Sequence, residues 1–548
     1  MSARRFSGPP PASLSMRVEE SRPRANSEPV ANYGSIFSPS EEAKFGRALR
    51  VIQAEPISVS AVGDEKCMLP LLDAPSSGWF ATSAIVEEDE DQSTCSEKST
   101  DLIVTDKAEL EMLTGSHELP VQLGTETMRR VWSFFSLYRL IFTFILVVNI
   151  MSLMFAGPLA MLTSSDAATA SAINLCVAIL FRNEHVVNIV FRLACALRPS
   201  TPLAVRKIGG KAYSYGGFHS GCATAGTMWY LIFTVLLATD FHDPHKRVVF
   251  SLAVAASVLL VFIAVFAHPK FRVSHHNSFE TIHRFAGWLS LGLLWAQLGA
   301  TILNSRPLSG ESVASLMANN PLFWCLAIIS IAIIYPWTRL RKRDVHVQVL
   351  SSKAALLHFT YRRMDICQGI RITDSPLRET HSFATISSDV DEQGFRVLMS
   401  RAGDWTSKFI DNPPTSIWVK GAPIFGVMRV ALIFKKVLVV ATGTGIGPCL
   451  SLMESCPDYP MHVLWMGSDP RETYGDTIIN SVFAADSGAC IVDTSKAGRG
   501  DILRLVYARY VESQAEAVII ISNALVTRRV VDGLESRGVP IFGAIFDS

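Results

Sequence analysis

Six runs of about 20 mostly apolar residues constrain this 548-residue chain more than any other feature. They lie near positions 134 to 156, 168 to 192, 216 to 238, 248 to 267, 284 to 304 and 320 to 338. A run of that length satisfies its own backbone donors and acceptors as a helix and is long enough to cross the hydrocarbon of a lipid bilayer. A six-helix transmembrane bundle over 129–340 is therefore expected. Arg129, Arg130, Arg198, Arg206, Lys207, Lys211, Lys270, Arg272, Arg339, Arg341, Lys342 and Arg343 fall at one set of ends, against Lys246, Arg247 and Arg306 at the other. Basic residues beside spans stay in the cytosol, so both termini are expected there. The second run is interrupted by Arg182, Asn183, Glu184 and His185. Unpaired charge is expensive at that depth. Either Arg182 and Glu184 pair and bridge neighbouring helices, or the cluster serves a redox site or a conduit such as a proton relay.

Residues 1–128 are rich in Ser, Pro, Glu and Ala and lack sustained apolar periodicity, which predicts a disordered cytosolic tail. Arg4-Arg5-Phe6-Ser7 and the stretch from Arg24 to Pro29 have the form of basophilic-kinase sites. The second also resembles a motif docked by a phosphoserine-binding protein; the alternative is a plain solvated tail. A net charge of +1 excludes a global electrostatic case for nucleic acid. Ten scattered cysteines without CxxC pairs fit a reducing, cytosol-facing location. Met1 to Pro11 holds no apolar run, so no secretory leader is expected.

After Arg343 the pattern changes to short alternating segments such as 345–350 and 395–399, the signature of antiparallel strands. An antiparallel β-barrel is expected over 341–434. From 435 to 548, strands near 436–441, 461–466, 517–522 and 540–545 alternate with helical stretches 501–512 and 525–537, which predicts an α/β domain with a parallel sheet. Gly443-Thr444-Gly445-Ile446-Gly447-Pro448 follows the first of these strands. A strand, a glycine turn and a helix form a pyrophosphate site, because glycines admit the backbone and the helix start presents free N–H groups.

The segment from Glu379 to Ser388 gathers His381, Phe383, Thr385, Ser387 and Ser388 around one strand end. A flavin needs that mixture of stacking and hydrogen-bonding groups. The segment resembles the HPFT-type flavin motif of ferric reductases and NADPH oxidases in the ferredoxin-reductase-like superfamily, with Ser382 in place of proline. Arg401 to Thr406 is similar to that family's second flavin signature, implying contacts from Trp405 and Thr406. The stretch Lys420 to Gly426 resembles its GPYG turn, and Gly443, Thr444, Gly445 and Gly447 its nucleotide loop. Gly498-Arg499-Gly500 is similar to its GRP element, so the resemblance places Arg499 on nucleotide phosphate or adenine. By the same resemblance Ser468 and Arg471 meet a 2′-phosphate, favouring NADPH over NADH. Ser522 stands at the catalytic cysteine's position, and Phe546 at that of the terminal aromatic that stacks on flavin, or in the core as the end of the last strand.

The family carries two haem-ligating histidines on each of two helices, and here one per helix is visible, His219 and His283. The outer partners would lie roughly 20 Å along the axis. That level holds Ile232, Phe233, Ala296 and Gln297. His219 and His283 could ligate a single haem b at the inner leaflet, or cap helix ends or bind lipid phosphates. From residue 130 to the end, the chain is most similar to fungal integral membrane flavoproteins of the TmpA type. The resemblance implies a plasma-membrane oxidoreductase taking hydride from NADPH to FAD, with a small-molecule acceptor and without full transmembrane transfer. A low-turnover redox sensor is the alternative; a transporter using Glu184 and His185 is a third.

Overall fold

The computed structural model describes residues 103–128, 136–155, 162–239, 244–387 and 394–543. The tail motifs at Ser7 and Ser27, as well as Arg129, Arg130, Ser388 and Phe546, lie outside them.

Described structure begins with β1 (Ile103–Val104) and a helix, Lys107–Gly115, capped by Asp106 accepting from Ala108 N. Apolar helices follow at Leu137–Phe155, Ser164–Leu180, Gly216–Ala238, Pro244–Phe266, His276–Ser309 and Pro321–Thr338. Among the described residues, five helices are long and apolar enough to cross a membrane; a sixth crossing counts only if Ser164–Leu180 and Glu184–Cys195, bent by 72°, form one span. Phe144, Met154, Val235, Val258, Leu303 and Ile331 are exposed along these helices.

The second run is thus not one straight span. Phe181 and Arg182 close the first helix, and Asn183 caps the next, its side chain accepting from His185 N. Glu184, Val187, Phe191 and Cys195 form one buried face of the new helix, at spacings of three and four residues. That face packs on the β-barrel. Glu184 pairs with Arg371 of the barrel, and not with Arg182, the pairing that is one of the two readings the sequence leaves open.

The barrel comprises β2 (Arg341–Asp344), β3 (His346–Ser351), β4 (Ala354–Phe359), β5 (Gln368–Thr373), β6 (His381–Ala384), β7 (Ile386–Ser387), β8 (Phe395–Ser400) and β9 (Ser416–Phe425). Its two antiparallel sheets run β2-β9-β5-β6 and β3-β4-β8-β7. The stretch expected as a GPYG-like turn lies within β9, opposite an irregularity in β5. Beyond it, β10 (Val437–Thr442), β11 (Met461–Gly467), β12 (Cys490–Asp493), β13 (Ala517–Ile521) and β14 (Ile541–Gly543) form a parallel sheet in the order β1-β12-β11-β10-β13-β14. Val437 to Ala441 are fully buried, as a strand covered on both faces requires.

The sixth strand corrects the expectation of a structureless tail to residue 128. Ile103 and Val104 pair with Ile491 and Val492, extending the sheet's edge, and Leu110 enters the core beside Leu505 and Val506. Leu123 N donates to Ser536 O (2.7 Å) and Arg537 Nε to Pro120 O (2.9 Å), so the segment straps the nucleotide-type domain before reaching the first apolar helix. Its apolar positions are too few to show helical or strand periodicity, and their burial depends on a sheet built more than 300 residues later.

Candidate functional site

The sheet order places β10, the first strand of this unit, between β11 and β13, so the chain reverses direction across the sheet there. Ligands of open α/β sheets sit in the crevice beyond the carboxyl ends at such a point. The glycine loop occupies it. Gly443 has φ +53°, and a Cβ on Gly445 would overlap the carbonyl of Ile521. Trp465 Nε1 donates to Gly443 O (2.9 Å), and Ser400 Oγ of the barrel donates to Thr444 Oγ1 (3.0 Å). Ser522, just past β13, shares a 2.5 Å hydrogen bond with Thr442 across the crevice. A Cβ on Gly447 would approach Leu398 of the barrel at 3.4 Å, so this helix start lies where the two domains meet.

Ser468 and Arg471 follow β11 as expected, but carboxylates engage both. Ser468 Oγ donates to Asp469 (3.2 Å), and Arg471 pairs with Asp476. A 2′-phosphate there would have to displace Asp476. Asp493 organises the loop, accepting from Asp469 N and Ser495 N (3.0 Å each). Burial raises its pKa, but these hydrogen bonds outweigh it and hold the carboxyl below its usual range. Arg499 is exposed between Gly498 and Gly500, both at positive φ.

On the barrel, the His381 ring stacks on Trp405 with centroids 4.2 Å apart, and Phe383 lies 6.2 Å from Trp405. His381 Nε2 is buried without a hydrogen-bond partner. Burial pulls its pKa below the ordinary value against the opposing charges of Glu379, Glu280 and Asp374, so the ring is neutral at pH 7. The other expected flavin donors face inward. Both the N–H and the hydroxyl of Thr385 donate to Gln368 O (2.9 Å each), because the chain crosses from one sheet to the other at that residue. Ser387 shares a 2.8 Å bond with Ser455. The Thr406 hydroxyl accepts from Ala402 N (2.9 Å) and Gly403 N (3.1 Å) and donates to Gly403 O (3.0 Å), closing the first turn of Asp404–Asp411. These three are engaged internally; His381, Phe383 and Trp405 are half-buried, the last two packed against the barrel core.

His219 and His283 come together, with ring centroids 6.2 Å apart and planes at 61°. His219 Nδ1 is 2.8 Å from Ala178 O, to which it donates, and His283 Nδ1 is buried without a partner. The helix carrying His283 starts at His276, so His283 lies about two turns inside it and not at its end. Arg284, the next residue, donates to Leu377 O (2.9 Å) and Arg378 O (3.0 Å) in the loop leading to His381. The Phe279 and His283 ring centroids are 5.3 Å apart. At the level of the missing outer histidines the interior is filled: Tyr230 donates to Gln297, and Trp229 Nε1 to Asn149 Oδ1 (2.9 Å).

Sequence reasoning missed Arg371, Arg284, Ser400 and Trp465. The buried tryptophan in β11 is visible as a strand residue with one donor to satisfy; Arg371 and Ser400 carry no local signal, since their partners lie more than 40 residues away, and Arg284 shows locally only its pairing with Glu280 four residues before it.

An antiparallel barrel followed by a parallel α/β sheet with a glycine loop at the switch point forms one two-domain unit, here joined to an apolar helical bundle. A family profile described as "Adenylate-forming reductase 03009, C-terminal domain" matches residues 427–548. Two proteins of Coprinopsis cinerea, Adenylate-forming reductase 06235 and Adenylate-forming reductase 03009, are 39% and 38% identical over 420 residues, 76% of this chain. The chain spans 40% of the length of each. Similar solved structures include the ferredoxin reductase in carbazole 1,9a-dioxygenase (TM-score 0.31, 16% identity, 38% of this chain and 70% of that one). Another is a flavohemoglobin from Malassezia yamatoensis (TM-score 0.34, 11% identity, 70% and 98%).

Proposed function

We propose that this chain is a multi-pass membrane flavoprotein oxidoreductase, with both termini cytosolic. It takes reducing equivalents from NADPH or NADH through FAD to a single haem b and a small-molecule acceptor on the inner side of the bilayer, with the plasma membrane the expected site. The observation that carries it is the junction at Arg284: the helix bearing His283 is bonded to the loop that delivers His381.

FAD, when bound, accepts a hydride and releases electrons singly, which is the chemistry that links a nucleotide site to a one-electron acceptor. The residues fit it. The orphaned His381 nitrogen and the His381–Trp405 stack supply a hydrogen-bonding group and an aromatic wall. The glycine loop at Gly443 and Gly445 leads into Ile446–Ser455, and although Ile446 N–H is bonded back to Gly443 O, a loop and helix start of this form suit a pyrophosphate. Haem fits the histidine pair: two imidazoles on one metal, with bonds of about 2 Å, have ring centres roughly 6 Å apart. A His219 Nδ1–H donated to a carbonyl leaves Nε2 as the ligating nitrogen. The packed Tyr230–Gln297 level supports confining electrons to the inner half.

The test is the visible spectrum of the purified protein with and without NADPH. Flavin bands that bleach on reduction and a Soret band are expected, with His219→Ala and His283→Ala each losing the Soret band while retaining flavin. Flavin without a Soret band removes the haem alone. A colourless protein that refuses added FAD overturns the proposal. The Ser522 hydroxyl, occupied by Thr442, favours a second reading as a slow redox sensor. Stoichiometric flavin with NADPH consumption near background would select it.

A further inference from the structure

The inner end of Pro321–Thr338 and the barrel beneath it enclose a cavity of about 550 Å³. Five cations line it, Arg339, Arg341, Arg343, Arg362 and Lys420, and no carboxylate does. Asp344, on the same strand as Arg341 and Arg343, is exposed and outside the lining. Elsewhere the chain pairs its arginines, as with Arg206–Glu516, Arg396–Glu454 and Arg401–Asp411. Among the described residues the four cavity arginines have no acidic partner. Arg339 Nη1 donates to Tyr335 Oη (3.2 Å), Arg341 Nη1 to Thr338 O (3.0 Å) and Leu340 O (2.8 Å), and Arg343 lies 4.4 Å over the Tyr361 ring.

Lys420 is buried with Nζ 3.6 Å from the centre of the Trp337 ring. Burial, with Arg284 and Arg371 adding to it and Glu280 opposing, brings its ammonium down to about 8, and the cavity lining itself carries five cations. Positive charge is therefore in excess around this space, and an anion entering it would gain several Coulombic partners at once. Guanidinium forks match phosphate oxygens bidentately, and the volume is that of a small-molecule site, larger than one phosphate needs.

We infer that this cavity binds a phosphorylated polyol, the chemistry shared by an inner-leaflet phosphoinositide headgroup and a free inositol phosphate. The cavity sits where the last apolar helix passes into the barrel, at headgroup depth on the membrane reading above, and only the lipid source rests on that reading. Its occupant bridges helix and barrel beside Gly421. There a Cβ would strike both Arg371 and Glu184, so the backbone at Gly421 packs directly on the ion pair that seats Glu184–Cys195.

The test uses the full chain, first in detergent with inositol hexakisphosphate, then in phosphatidylcholine nanodiscs with or without phosphatidylinositol bisphosphate. Saturable binding is expected, weakened about tenfold or more in Arg343→Gln/Arg362→Gln with flavin content unchanged. Lys270→Gln/Arg272→Gln, on another inner loop, should bind as the parent does. Saturation by the lipid alone assigns the bilayer as the source, and saturation by the soluble probe alone assigns the cytosol. Absence of binding to both, an unaffected cavity variant, or equal loss in the Lys270/Arg272 variant overturns the site. Binding of the soluble probe in detergent survives failure of the membrane reading, so the two are distinguishable.

Discussion

At the scale of single residues, the proposed nucleotide site depends on a position with no room for a side chain. Gly445→Val must push the loop away from Ile521, and a displacement of about 1 Å at a reacting centre costs on the order of 100-fold in rate. Flavin reduction by NADPH, followed by stopped-flow absorbance, should fall by that order while dithionite still reduces the flavin. An unchanged rate would place the nucleotide elsewhere. The glycine loop was legible in the sequence because a strand, a turn and a helix are contiguous there. The fate of Thr385, Ser387 and Thr406 was not, because a hydroxyl's partner is chosen by the surrounding fold, and all three found internal acceptors or donors first.

At the scale of elements, the segment 103–123 behaves as part of the C-terminal α/β domain. It adds β1 to the exposed side of β12, covering an edge that would otherwise present unpaired backbone groups. Leu110 is 1% exposed and lies against the Gly500 backbone, which ties the strap to the loop carrying Arg499. Leu110→Ala should destabilise the domain by about 2–5 kcal/mol, read as a lower unfolding midpoint, with earlier proteolysis near residue 105. Wild-type stability in that variant would mean the strap is not part of the cooperative unit. The break at Asn183 belongs to the same scale: a capping residue with charged neighbours converts half of an apolar run into a helix that lies on the barrel. Composition alone reads that run as one span, because it counts apolar residues without knowing what covers them.

At the scale of the whole molecule, the cationic ends of the helical bundle are the docking surface for the C-terminal α/β domain. Arg206 bonds both oxygens of Glu516 (2.5 and 2.6 Å) and Ile433 O (3.2 Å), while Lys211 pairs with Glu535. The Arg206 hydrogen bonds hold the Glu516 carboxyl below its usual range. A depressed carboxyl contributes stability that is fully present above its unfolded value of about 4.3 and is lost as pH falls through the lower folded value. Hydrogen exchange in residues 197–211 should therefore rise below about pH 4. Glu516→Gln should show that looser docking already at pH 7, at a cost on the order of 3 kcal/mol, since it leaves Arg206 buried without its counter-charge. Exchange in that loop that is indifferent to both changes would remove the pair from the docking account. What the sequence by itself determined was the local and periodic: the apolar helices, the alternating barrel strands, the glycine turn after a buried strand, and the single histidine on each of two helices. Each is set by contacts a few residues apart. Tertiary structure alone decided that His219 meets His283, that Glu184 leaves the bundle to pair with Arg371, and that residues 103 and 104 complete a sheet. Those pairings join chain segments 64 to 388 residues apart, and their free energy exists only once the intervening elements have packed.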